Sequence, residues 1–125
     1  MSTLEAVMTT QEVANRMNEL FKENKWNEAQ NELFADNAVS IEPPTSPGLQ
    51  SVSGLAAIKK KGEDFSNMVE EVHGGWVSEP IVAGNFISVA MGMDVTMKGM
   101  DRNKMDEIAV YEVKDGKIVK EQFFY

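Results

Sequence analysis

The 125-residue chain has no cysteine, one histidine and two arginines. Without cysteine there is no disulfide, no thiolate zinc site and no cysteine nucleophile. A single histidine excludes every metal site built on a histidine pair, and no metal or other cofactor is expected. Basic residues are the minority: Lys+Arg 12 against Asp+Glu 20 gives a net charge of −8. A surface this acidic repels a phosphate backbone, which argues against a nucleic-acid partner. No apolar run approaches the ~18 residues of a membrane span, so no membrane partner is expected. The first residues carry Glu5, no basic residue before Arg16 and no continuous apolar stretch. They do not read as a secretory signal, and a cytoplasmic protein is the expectation. Dinucleotide, P-loop, nucleophile-elbow and calcium-loop motifs are all missing.

What is present is an ordinary globular composition, 42% hydrophobic and 26% charged, at a length that suits a single domain over residues 1–125. Thr9-Thr10-Gln11-Glu12 has the spacing of a capping box. Val13, Met17, Leu20 and Phe21 then fall on one helical face. After a break at Asn24-Lys25, Trp26, Ala29, Leu33 and Phe34 give a second short helix, expected to end near Asp36-Asn37. Ala38 to Glu42 reads as a short strand, followed by the Pro-rich loop Glu42–Gly48. Ser53 is placed to cap a third helix with Leu55, Ile58, Phe65 and Val69 on its apolar face. Lys59, Lys60 and Lys61 are expected on its wet side.

The second half alternates. Ile87, Val89, Met91, Met93, Val95 and Met97 fall on one face of a strand, with Ser88, Ala90, Gly92 and Asp94 on the other. Gly84-Asn85 and Asp115-Gly116 are two-residue hairpin signals. The spacing predicts an antiparallel meander over 70–83, 86–98, 104–114 and 117–125, with Pro80 at an edge or bulge. Helices followed by antiparallel strands make an α+β order.

Three stretches carry a further likeness: Phe34–Pro43, Ser53–Ile58, and Val110–Val119 with its Asp-Gly-Lys-Ile hairpin. In this order and spacing the chain resembles SnoaL-like domains of the nuclear transport factor 2-like superfamily. The resemblance implies a cystatin-like α+β roll: three N-terminal helices on one face of a curved, mostly antiparallel sheet, with a pocket between. Relatives include isomerases, dehydratases, epoxide hydrolases and polyketide cyclases, and also members without chemistry, so the fold does not give the function.

The resemblance puts Tyr111, Val113 and Ile118 on the helix-facing side. Strand parity then places Glu107 inside with Tyr111, and Gln122 and Phe124 inside with Ile118. Glu107 is the candidate base, because burial favours the protonated form of a carboxylate and tunes it toward neutral pH. His73 is the candidate partner, since imidazole is the side chain that ordinarily titrates near neutrality. Glu42 sits at the family's acidic position by the pocket mouth. Trp76, Met91, Met93, Tyr111, Gln122 and Phe124 complete the expected ligand-binding wall, with the flexible thioethers suited to varied apolar ligands. Asp94, opposite the methionine side, is not expected in the pocket. The expected function is binding of a small apolar molecule, with cofactor-independent isomerase, cyclase or hydrolase chemistry. The alternative is a non-enzymatic binding or accessory domain. A homodimer is expected because three helices cover only one sheet face, and Val119, Phe123 and Tyr125 are expected to leave the other apolar.

Overall fold

A computed structural model describes residues 7–125; the reading of Glu5 and its neighbours falls outside them. Helix α1 (Thr10–Lys22) starts at the capping box: Thr9 accepts from the Glu12 amide and Glu12 accepts from the Thr9 amide. Its apolar stripe, Val13, Met17, Leu20 and Phe21, is buried. Asn24, at φ 59°, turns the chain into helix α2 (Trp26–Leu33). Strand β1 (Phe34–Ile41) begins directly at Phe34, earlier than the helix end expected at Asp36-Asn37. Phe34 belongs to the strand because it pairs with Ile118. A short strand β2 (Val52–Ser53) leads into helix α3 (Leu55–Met68). Gly54, at φ 95°, caps α3 instead of Ser53, which is held in pairing with Val39.

The remaining strands are β3 (Val69–Val77), β4 (Ile81–Ala83), β5 (Phe86–Met97), β6 (Arg102–Lys114) and β7 (Lys117–Phe124). Pro80 lies between β3 and β4, so the expected strand over 70–83 is two strands, both paired with β5. The sheet order is β2-β1-β7-β6-β5-β3. All pairings are antiparallel except β1 with β7. Asp115 and Gly116 both take positive φ, 51° and 75°, as a type I′ hairpin requires. The fold is the α+β roll. The inner sheet face, through Ile87, Val89, Ala109, Tyr111, Val113 and Ile118, packs with the helix residues in one core.

Strand β7 departs from the parity expected of it. Val113 pairs with Ile118, but Glu112 pairs with Lys120, which leaves Val119 as an extra, unpaired residue. One inserted residue in a strand turns every later side chain to the other face. Glu121 and Phe123 therefore join Tyr111 and Ala109 inside, while Gln122 and Phe124 register with Val110 and Ile108 on the outer face. The expectation that Gln122 and Phe124 line the pocket is corrected, and so is the placement of Phe123 and Tyr125 outside.

Lys61 is the second correction. It lies three residues after buried Ile58 and four before Phe65, on the same helical stripe, and its side chain is only 12% exposed. Lys60, one position away, stays in water and pairs with Asp64. No helix among the described residues is long and apolar enough to cross a membrane.

Candidate functional site

Between the helices and the concave face lie two adjoining hollows of about 530 and 590 Å³. Phe21, Trp26, Leu49, Phe65, Met91 and Met93 border both. Helix α1 supplies Phe21, which stacks on Trp26 of α2 with centroids 4.1 Å apart. Tyr111 from β6 closes the floor, its ring 6.3 Å from Phe21 and 6.4 Å from Phe34. Leu49 comes from the Pro-rich loop. The wall is thus mostly aromatic and aliphatic, as small-molecule pockets usually are.

A compact group of polar side chains lies within this wall. Glu42 is 7% exposed although it follows β1 into a loop. Lys61 Nζ donates to Glu42 Oε2 and to Ser40 Oγ, both at 2.6 Å, and stands 5.6 Å from the Phe123 ring centroid. The Tyr125 hydroxyl donates to Glu42 Oε1 at 2.7 Å and lies 2.9 Å from Ser46 Oγ. The Glu42 amide donates to Ser51 Oγ at 2.9 Å, which ties the loop to the site. Both carboxylate oxygens of Glu42 therefore have a donor, as a buried carboxylate requires.

Glu107 and Glu121 are treated differently. Among the described residues neither takes part in an ion pair. Burial pushes the Glu107 carboxyl up to about 7, with repulsion from Glu42 and Glu121 adding to it and Lys61 offsetting part. Burial likewise pushes Glu121 up to about 7, against a hydrogen bond from Ser40 and the charge of Lys61 that lower it. Burial also raises the Tyr111 hydroxyl well above its usual range, and pushes Tyr125 up to about 12. Two carboxyls that change charge near neutral pH thus face the adjoining hollows, Glu121 the first and Glu107 the second. Such a pair can take up or release a proton at a bound molecule.

The structure brings together Glu107, Glu42, Tyr111, Met91 and Met93 of the expected residues. It leaves Gln122 and Phe124 on the outer face, while His73 and Trp76 border the second hollow together with Glu107. Trp76 borders the second hollow, but its indole lies on the outer face across Gly92. A Cβ placed on Gly92 would meet indole Nε1 at 2.4 Å and Asp106 Oδ1 at 2.3 Å. His73 is engaged at both ring nitrogens. Its Nε2 is 2.8 Å from Thr96 Oγ1 and its Nδ1 2.9 Å from Glu71 Oε2. The register shift between Val72 and Gly74 turns it to the Thr96 side of the sheet, although it also borders the second hollow. Asp94 also lies outside, bound by Arg102 through two hydrogen bonds of 2.9 and 2.8 Å. Hydrogen bonding to Arg102 holds its carboxyl below the ordinary range.

Sequence reasoning missed Glu121, Lys61, Ser40 and Tyr125. For Lys61 the signal was available in its helical spacing with Ile58 and Phe65. For Glu121 it was not, because Phe123-Phe124-Tyr125 offers an aromatic residue to either parity.

The SnoaL-like domain family matches residues 8–125. No curated protein matches the chain significantly in sequence. Among solved structures, a Mesorhizobium loti protein provisionally assigned as a SnoaL-like polyketide cyclase shares 35% identity, with a TM-score of 0.87 over 94% of this chain and 100% of that one. TerC, co-crystallised with polyporic acid, superposes with a TM-score of 0.73 at 16% identity, over 93% of this chain and 90% of that one. A nuclear transport factor 2-like protein from Burkholderia pseudomallei gives 0.74 at 18% identity, over 94% and 92% of the two chains. The last two likenesses are of fold alone. With the family matched over nearly the whole chain, and a relative this similar across its full length, the protein belongs to the SnoaL-like domain family.

Proposed function

We propose that this protein binds a small molecule of apolar body and performs acid–base chemistry on it without a bound cofactor, as an isomerase, cyclase or hydrolase of the cytoplasm. The observation that carries this reading is Glu107: a carboxyl pushed up to about 7 on the wall of an apolar cavity, with no cation paired to it. In its ionised form Glu107 accepts a proton from the bound molecule. Glu121, also near 7, is the second group able to hold that proton. The Glu42–Lys61 pair orients the mouth and holds the loop through Ser51. Gln122 and Phe124, on the outer face, have no part in this chemistry. Its ligand side is tested by a thermal-shift screen of small molecules. A hit must quench Trp26 fluorescence and must be turned over by the native protein but not by Glu107→Gln of unchanged fold. A hit turned over equally by both would end the role given to Glu107.

The alternative, a non-enzymatic homodimeric binding domain, draws on the outer face. Trp76, Phe86, Ile108 and Phe124 are 53%, 47%, 48% and 49% exposed there. An open apolar patch on a sheet face is the kind a twofold partner covers. Sedimentation showing a dimer, together with bound ligand that is never altered, would favour this second reading.

A further inference from the structure

Resting on the reading of the cavity as a small-molecule site, we infer that its ligand is an organic cation, a protonated amine carried on an apolar body. Glu107 and Glu121 supply the counter-charge, and the Phe21–Trp26 stack lies against the body. The argument is one of charge in a confined space. Among the described residues the first hollow is lined by one cation, Lys61, and Glu42 neutralises it at 2.6 Å. Glu107 and Glu121 then remain without a counter-ion, and Glu121 is only 5% exposed. An anionic ligand would meet two carboxylates and no free cation. A neutral ligand would leave those carboxylates to be protonated or stranded. An ammonium seated in either hollow pairs with the carboxylate there and removes the cost of burying it alone. The wall fits the same class, since aromatic faces attract a cation and the ring of Phe123 already receives Lys61 at 5.6 Å.

The rim adds to the bias. Glu70 and Glu71 border the first hollow. Lys22, beside the second, is paired with Glu79 and offers no free charge. Tyr111 borders the first hollow and Tyr125 the second, and their hydroxyls keep their protons through the neutral range. Glu71 is shared with His73 at 2.9 Å, at the edge of this group.

Three probes of one shape test the inference: 1-naphthylmethylamine, 1-naphthalenemethanol and 1-naphthoic acid. Each is titrated into the full chain by calorimetry, with Trp26 fluorescence as the second readout. The amine is expected to bind, and to bind more tightly from about pH 6 to about pH 8 as the two carboxyls ionise while the amine stays protonated. The alcohol is expected to bind more weakly and the acid not at all. Glu107→Gln combined with Glu121→Gln should weaken the amine by about tenfold or more and the alcohol by much less. Circular dichroism verifies that the variant is folded. If the double variant does not fold, each single substitution is expected to weaken the amine in part. Binding of the acid as tight as that of the amine, or amine binding indifferent to both carboxyls, overturns the inference. Binding of the alcohol without the amine overturns it while leaving the small-molecule site standing. Failure of all three probes removes the site and the inference together.

Discussion

The two faces of one sheet treat the same chemical group in opposite ways. On the outer face of β5, Asp94 meets Arg102 at 2.8 Å and its carboxyl is held below the ordinary range. On the inner face of β6, Glu107 meets apolar walls and other carboxylates, and its carboxyl rises to about 7. The two strands are neighbours, with Asp94 opposite Lys104 and Met91 opposite Glu107. Alternation alone separates a carboxylate that is permanently charged at neutral pH from one that is poised to change. Chemistry in this fold is therefore a matter of parity first and of residue type second.

The ion pairs allow the comparison to be broken. Lys61 and Glu42 form the inner pair, with side chains 12% and 4% exposed, whereas Arg102 of the outer pair is 60% exposed. Lys61→Met leaves Glu42 buried without its cation and should destabilise the fold by about 3 kcal/mol. Arg102→Met should shift the urea midpoint only slightly, because exposed pairs contribute little. Equal midpoint shifts for the two variants would erase the distinction between the faces.

The pH dependence of stability sharpens it. Glu121 has a folded value of about 7 against an ordinary 4.5. Below the ordinary value both states hold the proton. Between the two values only the folded state does, so stability falls as pH rises through that window and is flat above it. Glu121→Gln removes the penalty and should stabilise the protein by on the order of 2–3 kcal/mol at about pH 8, with little effect at about pH 4. Asp94→Asn should behave in the opposite sense. Its folded value is lowered, so its contribution is present at neutral pH and is lost as pH falls through the folded value. Urea titrations across the range check both signs.

These residues also show how much could be read from the chain. The capping box, the α1 stripe and both hairpins follow from local patterns, the inward place of Tyr111 from the family resemblance and that of Glu107 from parity with it; the structure keeps them, while Phe34 and Val69, expected on helical faces, open strands β1 and β3. The placement of β7 does not follow. Val119 is an extra residue whose presence depends on how β7 fits between β1 and β6, a matter of pairing across the sheet. That one residue exchanges Gln122 and Phe124 for Glu121 and Phe123, and so half of the carboxyl pair was invisible. Lys61 is another kind of omission. A run of three lysines reads as a solvated surface, although the third continues the Ile58–Phe65 stripe.

The smallest effect concerns the outer face alone. Gly92→Ala would place a Cβ 2.4 Å from the Trp76 indole and 2.3 Å from Asp106, so both side chains must shift. A loss of about 1 kcal/mol is expected. Gly74→Ala meets nothing within 4 Å and should be nearly silent. Trp76 fluorescence should change in the first variant only.

The central claim is that the concave face holds two carboxyls that titrate near neutrality. Carboxyl-carbon NMR of protein labelled at glutamate and aspartate side chains, followed from about pH 3 to about pH 9, tests it directly. Resonances assigned by Glu107→Gln and Glu121→Gln should show midpoints near 7, while Asp94 should titrate below its ordinary 3.8. Midpoints near 4.5 for both Glu107 and Glu121 would contradict the account.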